Sequence, residues 1–175
     1  MREVGGVYLA PTSAGFRARC RQAADRLGFA VPCPLLLPTL ASGVRPPRLC
    51  EPPGTCRRGL VLMFQWDGFQ VPVGYRGPSE YGTLAIVAGP ARGVGPLGPP
   101  CSDERRVAAP TVQQARAVLV TCADEGQRSS WGGSMLLRWS QRGTLTVVTV
   151  YGWSELNRRL LVEVADHLRL VGPSA

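Results

Sequence analysis

The spacing of apolar residues predicts one helix near the start of the chain and another near its end. Over residues 13–29 apolar side chains recur every three or four positions, which is typical of a helix with one buried face. Ser13 can cap the first turn, and Gly28 suits the C-terminal end. A second helix is predicted over residues 155–168, with Ser154 as its N-cap. Its apolar positions form one stripe that should pack against a sheet: Leu156, Leu160, Leu161, Val164 and Leu168.

Short apolar runs separated by turn residues predict strands in the middle of the chain. Residues 59–75 are predicted to form a hairpin that turns at Asp67-Gly68, and Pro72 places its second strand at a sheet edge. Further strands are predicted over residues 83–88, 115–121, 134–140 and 144–151, the last two joined by the three-residue loop 141–143.

Consecutive hairpins flanked by helices predict an α+β fold. We expect a single domain with a mainly antiparallel sheet, on which an N-terminal helix and a C-terminal helix pack. This domain should span residues 13–171, whereas residues 1–12 are expected to form a poorly ordered leader and residues 172–175 a tail. A chain of 175 residues is large enough for its own core.

The chain contains no lysine, so its 20 basic residues apart from the single histidine are all arginine, and its formal net charge is +8. Without lysine, P-loop phosphate binding and Schiff-base catalysis are excluded. The arginines are scattered, with clusters no larger than pairs, as GC-rich coding bias produces. We therefore expect no specific nucleic-acid partner. A basic intracellular protein that binds nucleic acid or another partner is one alternative.

Six cysteines at spacings that fit no common metal site predict disulfides, and therefore an oxidising compartment. Proximity along the chain and the predicted elements favour three pairs: Cys20 with Cys33, Cys50 with Cys56, and Cys101 with Cys122. The first pair would join the N-terminal helix to the extended segment after it. The second flanks a Pro-Pro-Gly turn, and the third would close a loop rich in proline and glycine onto the sheet.

Neither a secretion signal nor an apolar run of membrane-spanning length is visible, which conflicts with the disulfide prediction. Either the start of the chain is truncated or misassigned, or the six cysteines are reduced thiols in the cytosol. We favour the first explanation, and therefore an extracytoplasmic or secreted location, with the cytoplasm as the alternative.

Two motifs imitate enzyme sites without meeting their structural requirements. Residues 93–98 match Gly-x-Gly-x-x-Gly, but the prolines inside and after the match prevent the helix that a dinucleotide site needs. Residues 152–156 place Ser154 between a strand and a helix, as a hydrolase places its nucleophile, but lack the second glycine. The only histidine, His167, lies 13 residues further along, about 20 Å up the predicted helix axis.

We therefore expect no catalytic, cofactor-binding or metal-binding residue, and no cofactor. The acidic pairs Asp103-Glu104 and Asp124-Glu125 are explained by solvated loops, although a cell-envelope hydrolase that uses acidic residues is the second alternative. The aromatic residues near the first predicted hairpin suggest one candidate recognition surface, at Trp66 and Tyr75, near the strand ends.

From about residue 13 to residue 171 the sequence resembles uncharacterised extracytoplasmic domains and lipoproteins of high-GC Gram-positive bacteria. The segments that carry the resemblance are residues 20–24 (CRQAA), 28–34 (GFAVPCP), 131–139 (WGGSMLLRW) and 157–161 (NRRLL). The resemblance implies a strand that ends in Arg-Trp, a glycine turn, another strand and a closing helix. Gly133-Ser134 stands where such domains have Gly-His, so no role of that histidine carries over. A non-catalytic domain that binds a cell-envelope ligand or an unidentified protein is the leading hypothesis.

Overall fold

The computed structural model describes residues 1–38, 48–49, 62–70, 81–92, 101, 103–123 and 133–174, and these form two helices and fourteen strands of an α+β fold. The helices are α1 (Ala14–Leu27) and α2 (Glu155–Asp166). The strands are β1 (Arg2–Val4), β2 (Val7–Pro11), β3 (Val31–Pro34), β4 (Leu36–Pro38), β5 (Arg48–Leu49), β6 (Leu62–Gln70), β7 (Tyr81–Pro90), β8 (Asp103–Ala108), β9 (Thr111–Val112), β10 (Ala115–Arg116), β11 (Val118–Ala123), β12 (Ser134–Gln141), β13 (Thr144–Tyr151) and β14 (Leu168–Val171).

Seven strands form an antiparallel sheet in the order β5-β6-β7-β13-β12-β11-β8. Alternate residues of its central strands point towards the helices, because side chains alternate between the two faces of a strand. On this face, buried side chains such as Ile86, Leu137 and Val148 join the apolar faces of α1 and α2 in one core cluster. The opposite face buries a smaller cluster around Val120 and Leu136. The predicted α+β class with helices at both ends is confirmed.

The N-terminal helix begins and ends as its sequence predicts. The Ser13 hydroxyl accepts a hydrogen bond of 3.1 Å from the Phe16 backbone amide, and Gly28 takes a left-handed conformation at φ 77° after the last turn. The residues at the predicted spacing are buried, among them Cys20 and Leu27.

The C-terminal helix begins at the predicted cap, where the Ser154 hydroxyl accepts a hydrogen bond of 3.0 Å from the Asn157 backbone amide. Leu160, Leu161 and Val164 are buried against the sheet strands β12 and β13, as predicted. Leu156 is half-buried and packs against the same core, and Leu168 is buried in it. The prediction is wrong only in placing Leu168 on the helix, because this residue begins a strand. The helix ends at Asp166, and the chain then pairs as β14 with β3.

Residues 1–12 are not the poorly ordered leader expected above. Strands β1 and β2 form a hairpin around Gly5 and Gly6, which both have positive φ, and β2 also pairs with β4. Val4, Val7 and Leu9 are buried in the core, so this hairpin covers part of the apolar surface. The strands of three and five residues are too short to produce a recognisable alternation.

The hairpin predicted over residues 59–75 is also wrong. Residues 62–70 form one continuous strand, β6, which pairs with β7 along its length. The Asp67-Gly68 dipeptide is not a turn but the place where the register shifts between Asp67 and Phe69. A bulge of this kind inserts one residue into a strand, and it favours glycine for the same reason that a tight turn does. The predicted edge residue Pro72 lies outside the described residues.

Strands β12 and β13 are joined by two residues rather than the three predicted, because Gln141 pairs directly with Thr144. Arg142 and Gly143 take φ values of 48° and 77°. Positive φ at both central residues is what a type I′ hairpin turn requires, and its twist matches that of the strands. The hairpin itself is confirmed.

Candidate functional site

Two disulfides cross-link the described part of the chain, with sequence separations of 13 and 21. Cys20 on α1 is bonded to Cys33 on β3, with 5.8 Å between their Cα atoms. Cys101 is bonded to Cys122 on β11, with 5.3 Å between their Cα atoms. Both predicted pairs are confirmed. The third predicted pair, Cys50 with Cys56, lies outside the described residues.

A cleft of about 390 Å³ opens beside the first disulfide, between α1 and β14. Its polar lining consists of three arginines, Arg17 and Arg21 from α1 and Arg169 from β14. The rest of its wall is made mainly of the apolar side chains Leu35, Leu170 and Val171, with Cys33 and Gly172. We call this feature the arginine cleft.

The three arginines meet because of the helix period and one strand pairing. Arg17 and Arg21 are four residues apart on α1, and residues at this spacing lie on the same side of a helix. Arg169 comes from the other end of the chain, where it pairs with Cys33 in the antiparallel ladder of β14 and β3. Since Cys33 is bonded to Cys20, which precedes Arg21 directly, the disulfide holds the two walls of the cleft together.

Among the described residues that line the arginine cleft there is no carboxylate, so these residues give it an uncompensated positive charge. Arg17 donates a hydrogen bond from Nη1 to the carbonyl oxygen of Thr12, which anchors that guanidinium at one end. Within the described part of the chain, Arg21 and Arg169 have neither an ion-pair nor a hydrogen-bond partner. Asp25, also on α1, accepts a hydrogen bond of 2.6 Å at its carboxylate oxygen Oδ1 from the backbone amide of Ser174.

The acidic residues considered for hydrolysis form ion pairs with arginine. Asp103 lies 2.9 Å from Arg105, and Glu104 accepts from both terminal nitrogens of Arg138. Asp103, Glu104 and Arg105 belong to the edge strand β8, and Arg138 lies on β12, on the far side of β11. All four side chains are exposed to solvent. The other acidic pair, Asp124-Glu125, lies outside the described residues.

Glu155 is likewise unsuited to act as a general acid. A hydrogen bond from the Arg158 side chain lowers the pKa of this exposed carboxyl below its ordinary value. A carboxyl that donates a proton near neutral pH needs the opposite shift, which burial in an apolar pocket supplies.

Ser154 and His167 remain apart, as expected. Ser154 caps α2, whereas His167 follows its last turn and points back to the helix. The His167 Nδ1 atom lies 3.2 Å from the Glu163 carboxylate, which is also 2.7 Å from Nε of Arg2 on β1. This contact ties the N-terminal hairpin to α2, and the histidine is therefore part of a structural contact.

The predicted recognition surface stays a prediction. Trp66 lies in β6, opposite Leu84 of β7, and Tyr75 lies outside the described residues. Among the residues that the structure describes, no group of three or more metal-ligating side chains comes together. No helix in that part of the chain has the length and apolarity that a membrane crossing requires.

Comparison with known proteins gives no match: no family model, no curated protein and no solved structure is significantly similar to this chain.

The arginine cleft was not predicted from the sequence. Arg17 and Arg21 do share a helix face there, and this spacing was a usable signal for a local positive patch. Arg169 gives no such signal, because it directly follows the helix predicted over residues 155–168. Only the pairing of β14 with β3 brings it to the same cleft.

Proposed function

We propose that this protein is a non-catalytic extracytoplasmic domain that binds a negatively charged ligand in the arginine cleft. The observation that carries the proposal is the convergence of Arg17, Arg21 and Arg169 on one cleft, whose described lining residues include no acid. Guanidinium groups present fixed N–H donors that match carboxylate and phosphate oxygens, so such a cluster favours an oxyanion.

The two disulfides support the extracytoplasmic location in this proposal. Bonded cysteine pairs persist in secreted, periplasmic and cell-surface proteins, whereas cytosolic thiols are kept reduced. Cys20, Cys33 and Cys122 are buried. The first bond joins α1 to β3, and the second joins the segment before β8 to β11. Such bonds are typical of structural disulfides, which are maintained in an oxidising environment.

The geometry favours a small anionic ligand over nucleic acid. A duplex is bound by an extended row of cations that follows its phosphates. The arginine cleft is instead local, and other arginines are engaged by carboxylates, as Arg105 is by Asp103 and Arg158 by Glu155. We therefore expect weak binding to duplex DNA near physiological salt.

Titration calorimetry with inorganic phosphate tests the proposal. The oxidised protein should bind phosphate saturably at about 0.15 M salt, where charges are screened as at physiological ionic strength. A triple variant, R17Q/R21Q/R169Q, should lose this binding. The matched control R92Q/R106Q/R116Q removes the same charge from exposed arginines outside the cleft and should retain it. Equal loss in both variants would show that net charge, rather than the cleft, attracts the anion.

The compartment is tested on protein from the native host, denatured without reductant in the presence of a thiol-alkylating reagent. The proposal predicts that Cys20, Cys33, Cys101 and Cys122 are protected from alkylation. Complete alkylation of these four cysteines would place the protein in a reducing compartment and contradict the extracytoplasmic part of the proposal.

A further inference from the structure

We propose that the ligand of the arginine cleft is a phosphate monoester with a short apolar substituent. This inference rests on the proposed function and extends it from any anion to one chemical class. Three features of the cleft carry it: its uncompensated charge, its apolar wall and its size.

The charge of the cleft favours a phosphate over a carboxylate. Three arginines and no acidic residue are found among the described residues of the lining, and a monoanionic carboxylate would leave most of that charge unbalanced. A phosphate monoester carries close to two negative charges near neutral pH and offers three acceptor oxygens. Arg21 and Arg169 donate to no other group among the described residues, so within that part of the chain their guanidinium donors are available to such a group. Arg17 is held in place by its bond to Thr12.

The apolar wall provides a second point of recognition. Leu35 and Leu170 line the cleft while only half-buried, and they do not belong to the core cluster. Val171 lines the cleft with them and packs against the core, so the core supports this wall. Half-buried leucines next to the arginines can cover an apolar group that is attached to the bound phosphate.

The size of the cleft agrees with a ligand larger than a simple ion. A volume of about 390 Å³ falls within the range of roughly 300–1,000 Å³ that small-molecule sites occupy. A phosphate group alone would fill only part of it. The remaining space borders the leucines, where a short alkyl or aryl substituent fits.

Calorimetry with three probes separates this inference from the proposed function. The probes are methyl phosphate, n-butyl phosphate and pentanoate, used at about pH 8 so that the phosphates are dianionic, since their second pKa is ~6. A fully buried methylene raises affinity roughly fourfold, and n-butyl phosphate has three more than methyl phosphate. It should therefore bind roughly 10- to 60-fold more tightly, the upper figure for complete burial of the chain. Pentanoate should bind at least about 10-fold more weakly than n-butyl phosphate, because it brings one charge instead of two.

A variant of the apolar wall gives the second readout. L35N/L170N should lower the affinity for n-butyl phosphate to that for methyl phosphate and leave methyl phosphate binding unchanged. The control L145N, at a half-buried leucine outside the cleft, should change neither.

Equal affinity of the wild-type protein for the two phosphates would overturn the apolar part of the inference. Pentanoate binding as tight as that of n-butyl phosphate would overturn the phosphate part. Failure of all three probes would overturn the proposed function itself.

A soluble phosphate monoester and a phosphorylated lipid headgroup share this chemistry, and vesicles distinguish them. If the source is a lipid, the protein should be retained on phosphatidylcholine vesicles that contain phosphatidic acid, and R169Q should abolish the retention. If the source is soluble, n-butyl phosphate binds and the vesicles do not retain the protein. Both results support the inference, and retention that survives R169Q contradicts it.

Discussion

Arg169 pairs with Cys33 in the antiparallel ladder of β14 and β3, and Cys33 is bonded to Cys20 on α1. One cross-link therefore fixes the distance between the strand that carries Arg169 and the helix that carries Arg17 and Arg21. The arginine cleft depends on this bond, because its two walls come from opposite ends of the chain.

Removal of the first disulfide should therefore weaken both the fold and the cleft. For the double variant C20S/C33S we expect a loss of about 3 kcal/mol in the free energy of unfolding, from the chain entropy of a loop with sequence separation 13. Affinity for phosphate should also fall, because the two walls are no longer linked.

The second disulfide provides the matched control for this prediction. C101S/C122S should lose a comparable stability, about 3 kcal/mol for a sequence separation of 21, but retain phosphate affinity. Denaturant unfolding and calorimetry on both variants check the prediction. Equal phosphate affinity in the two variants would show that the Cys20–Cys33 bond does not shape the cleft.

Truncation of Leu160 tests the packing of α2 on the sheet. Its side chain is fully buried beneath the helix, so L160A should lower the free energy of unfolding by about 2–5 kcal/mol, the range for a buried leucine that leaves a cavity. L156A, at the half-buried position of the same helix, should cost clearly less. Thermal or denaturant unfolding measures both. An L160A variant with an unchanged free energy of unfolding would mean that α2 does not pack on β12 and β13.

Gly133 allows the chain to pass close to β11. It takes a φ of 88°, and a Cβ at this position would collide with the carbonyl oxygen of Cys122. G133A should therefore destabilise the protein by at least about 2 kcal/mol, because the steric clash adds to the strain of a left-handed backbone. G28A, at a left-handed glycine with open space around it, is the control and should cost less. Denaturant midpoints that rank the two variants in the opposite order would contradict this account.

The turn between β12 and β13 offers a stabilising substitution. Arg142 holds a φ of 48°, a conformation that asparagine adopts more readily than other side chains with a Cβ. Asn-Gly is also the preferred pair of a type I′ turn. R142N should therefore raise the free energy of unfolding by up to about 1 kcal/mol. A lower melting temperature of the variant would argue against the positive φ at this position.

The parts of the fold that the sequence predicted are those that depend on local interactions. Ser13 and Ser154 identify the two helix starts because a cap needs only its own first turn. The Cys20–Cys33 and Cys101–Cys122 pairs were found because each closes a short loop between neighbouring elements. The hairpin of β12 and β13 was found because two alternating runs flank a turn with glycine.

The parts that were missed depend on partners far away in the sequence. Leu168 continues the apolar spacing of α2, so the pattern extends the predicted helix two residues beyond its end at Asp166. The ladder with β3 overrides it and places the residue in β14. Asp67-Gly68 fits a turn and a bulge equally well, and only the pairing of β6 with β7 decides between them. The arginine cleft was missed for the same reason, since Arg169 reaches it through a long-range pairing.

The most direct test of the central claim observes the arginine side chains themselves. In a ¹⁵N-labelled sample, the Nε–H signals of the 20 arginines are followed while n-butyl phosphate is added at about 0.15 M salt. The account predicts that the signals assigned to Arg17, Arg21 and Arg169 shift together and saturate with one dissociation constant. Shifts of similar size spread over the exposed arginines, with no saturation at these three, would contradict it.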